Sequence, residues 1–104
     1  MMATMEAFAA LADPTRRRIV EMLGTREHAA GEIARRFDMT APAVSQHLKL
    51  LRDARLVRVR RDAQRRIYSL EPSGFAELDA WLSQYRRFWH DRLASLEHEL
   101  GGSR

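Results

Sequence analysis

Thr40-Ala41-Pro42-Ala43-Val44-Ser45-Gln46-His47-Leu48-Lys49-Leu50-Leu51-Arg52 is the stretch on which the fold turns. Its spacing predicts a helix over 40–52, with Thr40 as its cap and Pro42 tolerated in the first turn, where its missing N–H costs nothing. Val44, Leu48, Leu50 and Leu51 supply the buried face, and Ser45, Gln46 and Lys49 fall on the other side, with His47 near the boundary. Immediately before it, Asp38-Met39-Thr40 ends a shorter helix whose Ile33, Ala34 and Phe37 face inward. A short helix, a turn of about three or four residues and a second helix with polar outward positions make a helix-turn-helix.

On the N-terminal side, Asp13 can cap a helix that opens on Pro14 and closes at Gly24, with Ile19, Val20, Met22 and Leu23 as its apolar stripe. Met5, Phe8, Ala9, Leu11 and Ala12 form a short apolar helix that the Asp-Pro pair stops. It holds more hydrophobic surface than one short helix buries alone, so part of it is expected to meet another chain. Thr25 to His28 reads as a loop.

On the C-terminal side the period changes. Leu56-Val57-Arg58-Val59-Arg60 and Arg66-Ile67-Tyr68-Ser69-Leu70 alternate as strands, joined by the glycine-free turn Arg61-Asp62-Ala63-Gln64-Arg65. The tip and flanks of this hairpin carry Arg60, Arg61, Arg65 and Arg66, four cations that repel one another unless an anionic partner relieves them. A last helix over about 73–100 repeats apolar residues at Phe75, Leu78, Leu82, Tyr85, Trp89, Leu93, Leu96 and Leu100, with Trp81 and Phe88 widening the face. Its periodic part runs roughly 39 Å at the helical rise, longer than one small domain can cover. A second copy is the simplest cover. Residues 101–104, Gly-Gly-Ser-Arg, read as a loose tail, leaving 1–100 as a single domain.

Charge supports this order. The chain has 104 residues with a formal net charge of +4. The segment 35–66 alone carries ten basic and three acidic side chains. A basic centre between acidic flanks fits a polyanion-binding surface, although a solvated face gives the same tally. There is no cysteine, which excludes disulfides, thiolate metal sites and thiol redox sensing. No apolar run exceeds the six residues from Ala7 to Ala12, and no signal peptide is recognisable, so a cytoplasmic location is expected. Glycine-rich phosphate loops, Cys/His pairs and Ser/His/Asp clusters are missing, which argues against an enzyme.

Three motifs in order, Leu11-Ala12-Asp13-Pro14-Thr15-Arg16-Arg17-Arg18-Ile19, Ala43-Val44-Ser45-Gln46-His47-Leu48-Lys49-Leu50-Leu51 and Arg66-Ile67-Tyr68-Ser69-Leu70, closely resemble the ArsR-type winged helix-turn-helix repressors, over about Phe8 to Leu100. The resemblance implies a mainly α fold with a β-hairpin wing, dimerising through its N- and C-terminal helices. It implies a bacterial homodimer that sits on double-stranded operator DNA and blocks transcription. Helix 40–52 would enter the major groove, with the arginine-rich wing 58–66 beside the backbone or minor groove.

The matching positions put Thr40, Ala41, Ser45, Gln46, His47 and Lys49 near DNA. Gln46 is the expected base reader, because its amide pairs bidentately with adenine. Thr40, Ser45, Lys49 and the wing residues Arg58, Arg60, Arg61, Arg65 and Arg66 suit phosphate. His47 is equally suited to packing or capping. The dimer interface is expected at Met5, Phe8, Leu78, Leu82, Tyr85, Trp89, Leu93 and Leu96.

No metal or cofactor is expected. The stretch that carries a cysteine cluster in metal-sensing relatives reads Ala30-Gly31-Glu32-Ile33-Ala34-Arg35-Arg36 here. On the last helix, His90 and His98 lie about 12 Å apart along the axis, too far to share one ion within a chain. Whether His90, Asp91, Glu97 and His98 meet a second copy's residues stays open, as does the small-molecule effector. Two alternatives remain at this stage. One is a ligand- or metal-responsive repressor with its site at the C-terminal helix interface. The other is a winged-helix protein–protein adaptor without specific DNA binding.

Overall fold

A computed structural model describes residues 2–101, with side chains over 4–101. Five helices and three short strands follow one another as α1 (Met2–Leu11), α2 (Pro14–Thr25), β1 (His28–Ala29), α3 (Ala30–Phe37), α4 (Ala41–Asp53), β2 (Val57–Asp62), β3 (Arg65–Leu70) and α5 (Pro72–Gly101). The boundaries have local causes. The Asp13 carboxylate accepts the Arg16 N–H at 3.0 Å and starts α2, with Pro14 just inside the first turn. The Thr40 hydroxyl accepts the Ala43 N–H at 3.3 Å and starts α4. Between them, Asp38 takes a left-handed conformation (φ 52°) that ends α3.

The core gathers where these elements cross. Ile19 of α2, Ile33 of α3, Val44, Leu48 and Leu51 of α4, and Leu56 before β2 are fully buried. Val44, Leu48 and Leu51 are spaced i, i+4, i+7, one stripe of a helix. Leu50, expected in that stripe, is 38% exposed instead, because it lies about 100° round from its neighbour Leu51.

The sheet is larger than the expected hairpin. Its order is β1-β3-β2, all antiparallel, with His28 opposite Tyr68 and Ala29 opposite Ile67. Part of the stretch read as a loop is therefore an edge strand. The hairpin is also tighter than expected. Strand pairing continues to Asp62 opposite Arg65, leaving only Ala63-Gln64 as the turn. Ala63 supplies the positive φ (58°) that such a turn requires, a place usually given to glycine, asparagine or aspartate.

α5 leaves the domain as a spar. Its 30 residues span about 45 Å, and the molecule measures 65 × 27 × 21 Å with a radius of gyration of 18.3 Å. A globular chain of this size has a radius near 13 Å. Gly74 and Leu78 anchor its first turns, and from Gln84 through Gly101 every residue is exposed. The helix continues through Gly101, placed in the tail by the sequence reading; residues 102–104 lie outside those described.

Candidate nucleic-acid interface

α4 presents its polar side to solvent as expected. Ala41, Ser45, Gln46 and Lys49 are all exposed, and so is Arg52 one turn further on. Ala41, Ser45, Lys49 and Arg52 fall at i, i+4, i+8 and i+11, so they share a face, with Gln46 beside it. Thr40 is exposed at the head of this row. Because its oxygen accepts the cap bond, its hydroxyl proton stays available to a phosphate. Lys49 is not a free cation, since its Nζ lies 3.0 Å from the Asp53 carboxylate.

His47 points elsewhere. It is 21% exposed, with Nδ1 3.3 Å from Arg16 Nη1 and 3.9 Å from the Asp13 carboxylate, at the start of α2. Arg16 in turn donates through Nε to the Ala10 carbonyl at 2.7 Å and through Nη2 to the Ala9 carbonyl at 3.4 Å. The packing side of the alternative posed for His47 is the one this geometry favours. The Asp13 carboxyl is held below its ordinary pKa, chiefly by the bond from the Arg16 N–H.

The wing divides its arginines between two faces. Strand register places Val57, Val59 and Arg61 on one face with Leu70, Tyr68 and Arg66 opposite them. Arg58, Arg60 and Asp62 occupy the other face, opposite Ser69, Ile67 and Arg65. On this second face each arginine has an intramolecular anion. Arg58 meets Glu71 at 3.7 Å, Arg60 meets Glu27 at 2.5 Å and Arg65 meets Glu32 at 3.7 Å. On the first face Arg61 and Arg66 sit directly across from each other, both exposed, in a cleft they share with Arg52 of α4, bordered also by Val59 and Arg60. Among the described residues, the four-way repulsion expected from the sequence is thus reduced to one pair without an ion-pair partner on its own face, Arg61 and Arg66, on the side of the wing next to α4.

Glu32 is the busiest of these carboxylates. It accepts from the Ala29 N–H at 3.2 Å, lies 3.2 Å from His28 Nδ1 and 3.4 Å from Arg26, and is held at a pKa of about 2, first by the Ala29 bond and then by His28. Glu27 is lowered mainly by its hydrogen bond from Arg60, whose own pKa is raised by the same contact. Glu71 is lowered by the Ser73 hydroxyl and N–H. Sequence reading missed Arg52 as a member of the polar row, although its position seven residues after Ser45 was the available signal. It also missed the carboxylate partners, of which Glu27 and Glu32 come from segments far from the wing in sequence and Glu71 directly follows β3.

A second surface lies at the other end of the molecule. Phe8 of α1 meets Trp81 of α5 edge-on with ring centroids 5.1 Å apart, and Trp81 stacks on Tyr85 at 4.3 Å. Met5, Phe8, Leu82, Tyr85, Trp89, Leu93 and Leu96 are exposed, Trp89 by 57%. Leu78, expected with them, is buried in the core of its own chain. No helix among the described residues is long and apolar enough to cross a membrane.

Comparison with known proteins agrees with this geometry. A helix-turn-helix domain model matches residues 11–60, the span from the end of α1 into β2. The HTH-type transcriptional regulator Rv2034 of Mycobacterium tuberculosis is 52% identical over 83 residues, covering 80% of this chain and 75% of that one. The transcriptional repressor SdpR of Bacillus subtilis is 33% identical over 78 residues, covering 75% and 87%. Among solved structures, an ArsR family transcriptional regulator superposes with a TM-score of 0.77 at 31% identity, over 85% of this chain and 97% of that one. An ArsR-like regulator from Rhodococcus sp. RHA1 superposes with the same TM-score of 0.77 at 26% identity, over 93% and 92%.

Proposed function

The chain belongs to the ArsR family of helix-turn-helix transcriptional regulators, and from that premise we propose a homodimeric repressor that binds a palindromic operator through α4 and one face of the wing. Membership makes it a DNA-binding transcriptional regulator, in a family of regulators rather than of enzymes. The palindrome, the dimer, a cytoplasmic location and the role of each residue are our reading.

One observation carries it. The exposed row Thr40, Ala41, Ser45, Gln46, Lys49 and Arg52 on α4 continues into the cleft where Arg52, Arg61 and Arg66 converge. Such a surface sets a base-reading amide among cations that neutralise phosphate. Gln46 reads a base edge, with adenine as its natural partner. Thr40, Ser45, Arg52, Arg61 and Arg66 hold the backbone and fix register. The small side chain of Ala41 lets α4 approach the groove closely. Lys49 joins them once a phosphate displaces Asp53.

Two copies pair through the exposed apolar face of α1 and α5, with residues 1–100 folding as one domain. The pairing sets two α4 helices on half-sites about one helical turn apart. No cofactor takes part in this reading.

A competition titration in chelator-containing buffer tests it. The labelled duplex is the DNA immediately upstream of the protein's own gene, challenged with scrambled duplex. Preference of about 10³ or more is the expected result and identifies a sequence-specific regulator that binds without metal, consistent with autorepression. If genome-wide mapping of bound sites also finds no preferred sequence, the reading fails.

A further inference from the structure

Resting on the DNA-binding reading above, we infer that Glu27 and Glu32 act as internal phosphate mimics that keep Arg60 and Arg65 off the DNA backbone and so hold down binding to non-operator sequence. The geometry is specific. Both carboxylates flank β1, outside the helix-turn-helix row, and each faces a guanidinium on the wing face carrying Arg58, Arg60 and Arg65. Arg60 lies 2.5 Å from Glu27, and Arg65 lies 3.7 Å from Glu32.

Both arginines and Glu27 are exposed, and Glu27 is the first of the anions acting on Arg60, ahead of Asp62. Glu27 has no described partner beyond the wing and its neighbour Arg26, whose guanidinium meets the Glu27 carbonyl rather than its carboxylate. Its side chain caps no helix. Among the described residues its carboxylate meets Arg60 first and Arg58 at longer range, both on the wing.

The consequence differs between kinds of DNA. On an operator, α4 in the groove fixes the orientation, and the wing meets phosphate through Arg61 and Arg66, next to Arg52. By strand register the Arg60 and Arg65 side chains lie on the opposite face, with Arg60 held by Glu27 at the border of the Arg52 cleft. On DNA without base contacts the protein can tilt, and any free arginine adds a phosphate contact. Non-specific binding is almost wholly such contacts. Carboxylates that occupy Arg60 and Arg65 therefore subtract from the non-specific complex more than from the specific one, which is discrimination by an unfavourable alternative.

The test uses the full chain and a scrambled duplex of fixed length, titrated across salt concentrations. Glu27→Gln with Glu32→Gln removes both charges, and the glutamine at 32 keeps an acceptor for the Ala29 N–H. Glu97→Gln with Glu99→Gln makes the same change in net charge on the outer half of α5. The expected result is at least about a tenfold gain in scrambled-duplex affinity for the first pair. Its slope of log K against log salt steepens by about 0.9 for each arginine released.

Arg60→Gln added to Glu27→Gln should cancel that residue's share of the gain, while Arg60→Gln alone changes little. Glu27→Gln by itself carries the test if the double variant folds poorly. No gain, or an equal gain in the α5 control, overturns the inference. These measurements need no operator, so they stand apart from the search for one. A protein that binds scrambled DNA as predicted but prefers no sequence refutes the operator reading and leaves the carboxylate effect intact.

Discussion

Gly74 lies so close to Arg55 that a β-carbon built on it would fall 2.0 Å from the Arg55 carbonyl oxygen and 3.2 Å from that of Ala54. The first turn of α5 thus rests directly on the turn that leaves α4, where Arg55 itself has a left-handed φ of 61°. Gly74→Ala is expected to cost at least about 3 kcal/mol, because the obstacle is backbone and cannot rotate away. Urea unfolding measures it. A midpoint unchanged from the parent would mean that α5 can lift off the turn freely.

Acid should act through Glu32. Its carboxyl is depressed in the folded protein from an ordinary 4.5 to about 2, so the linked stability is complete above pH 4.5 and is lost as pH falls toward 2. Asp13, Glu27 and Glu71 shift in the same direction and add to the loss. Melting temperature followed from pH 6 to pH 2 (roughly that window) should decline, and less steeply for Glu32→Gln. Superimposable curves would remove Glu32 from the account.

Gln46 and His47 are neighbours in different surroundings, Gln46 exposed and His47 against Arg16 and Asp13. Gln46→Ala should weaken operator binding by about 1–3 kcal/mol and relax preference at one base pair. His47→Gln should leave base preference alone and lower stability modestly, since its ring packs between Asp13 and Arg16. Site selection from a random duplex pool distinguishes them. A changed base preference in His47→Gln would put that ring in the groove.

The two wing faces should separate in salt titrations on operator DNA. Losing Arg61 or Arg66 removes one phosphate contact per protomer, which flattens the slope by about 1.8 per dimer. Either substitution should also leave the free protein as stable or slightly more so, because like charges directly across a strand pair are unfavourable. Equal flattening by Arg58→Gln would erase the distinction between faces.

Leu93→Arg tests the spar. Leu93 is 58% exposed on the outer half of α5, where every described residue is exposed. The variant should keep its helical signal but sediment as a monomer, with weaker operator binding. A dimer of parental affinity would place the interface elsewhere.

Much of this was legible in the residues. Asp13-Pro14, Thr40-Ala41-Pro42 and the alternation after Leu56 are local signals, and the helices and strands they mark formed within a residue or two. β1 was not legible, because two residues carry no period and His28-Ala29 become a strand only by pairing with β3. The wing turn escaped for a related reason. Alanine gives no sign of a positive φ, and only the register from Val57 to Asp62 forces it on Ala63. The division of the wing arginines required both that register and the placement of Glu27 and Glu32, some 30 residues earlier in the chain. Of the outer face of α5, the sequence showed the apolar period but not where the core stops. The division falls between Leu78, inside, and Leu82, outside.

Arg16 has a mechanical consequence. Its guanidinium is bolted at one edge to the last turn of α1 through the carbonyls of Ala9 and Ala10, and at another to His47 on α4, while its own N–H holds the cap of α2. Three helices share one planar, rigid group. α1 also packs directly on α4, with Ala7 and Ala10 in one buried cluster with Leu48 and Leu51, so strain applied at the apolar end of the molecule reaches α4 through both the close-packed core and this polar tie. A shorter or more pliant side chain at 16 would work as slack in that linkage, leaving both ends folded but less tightly geared to each other.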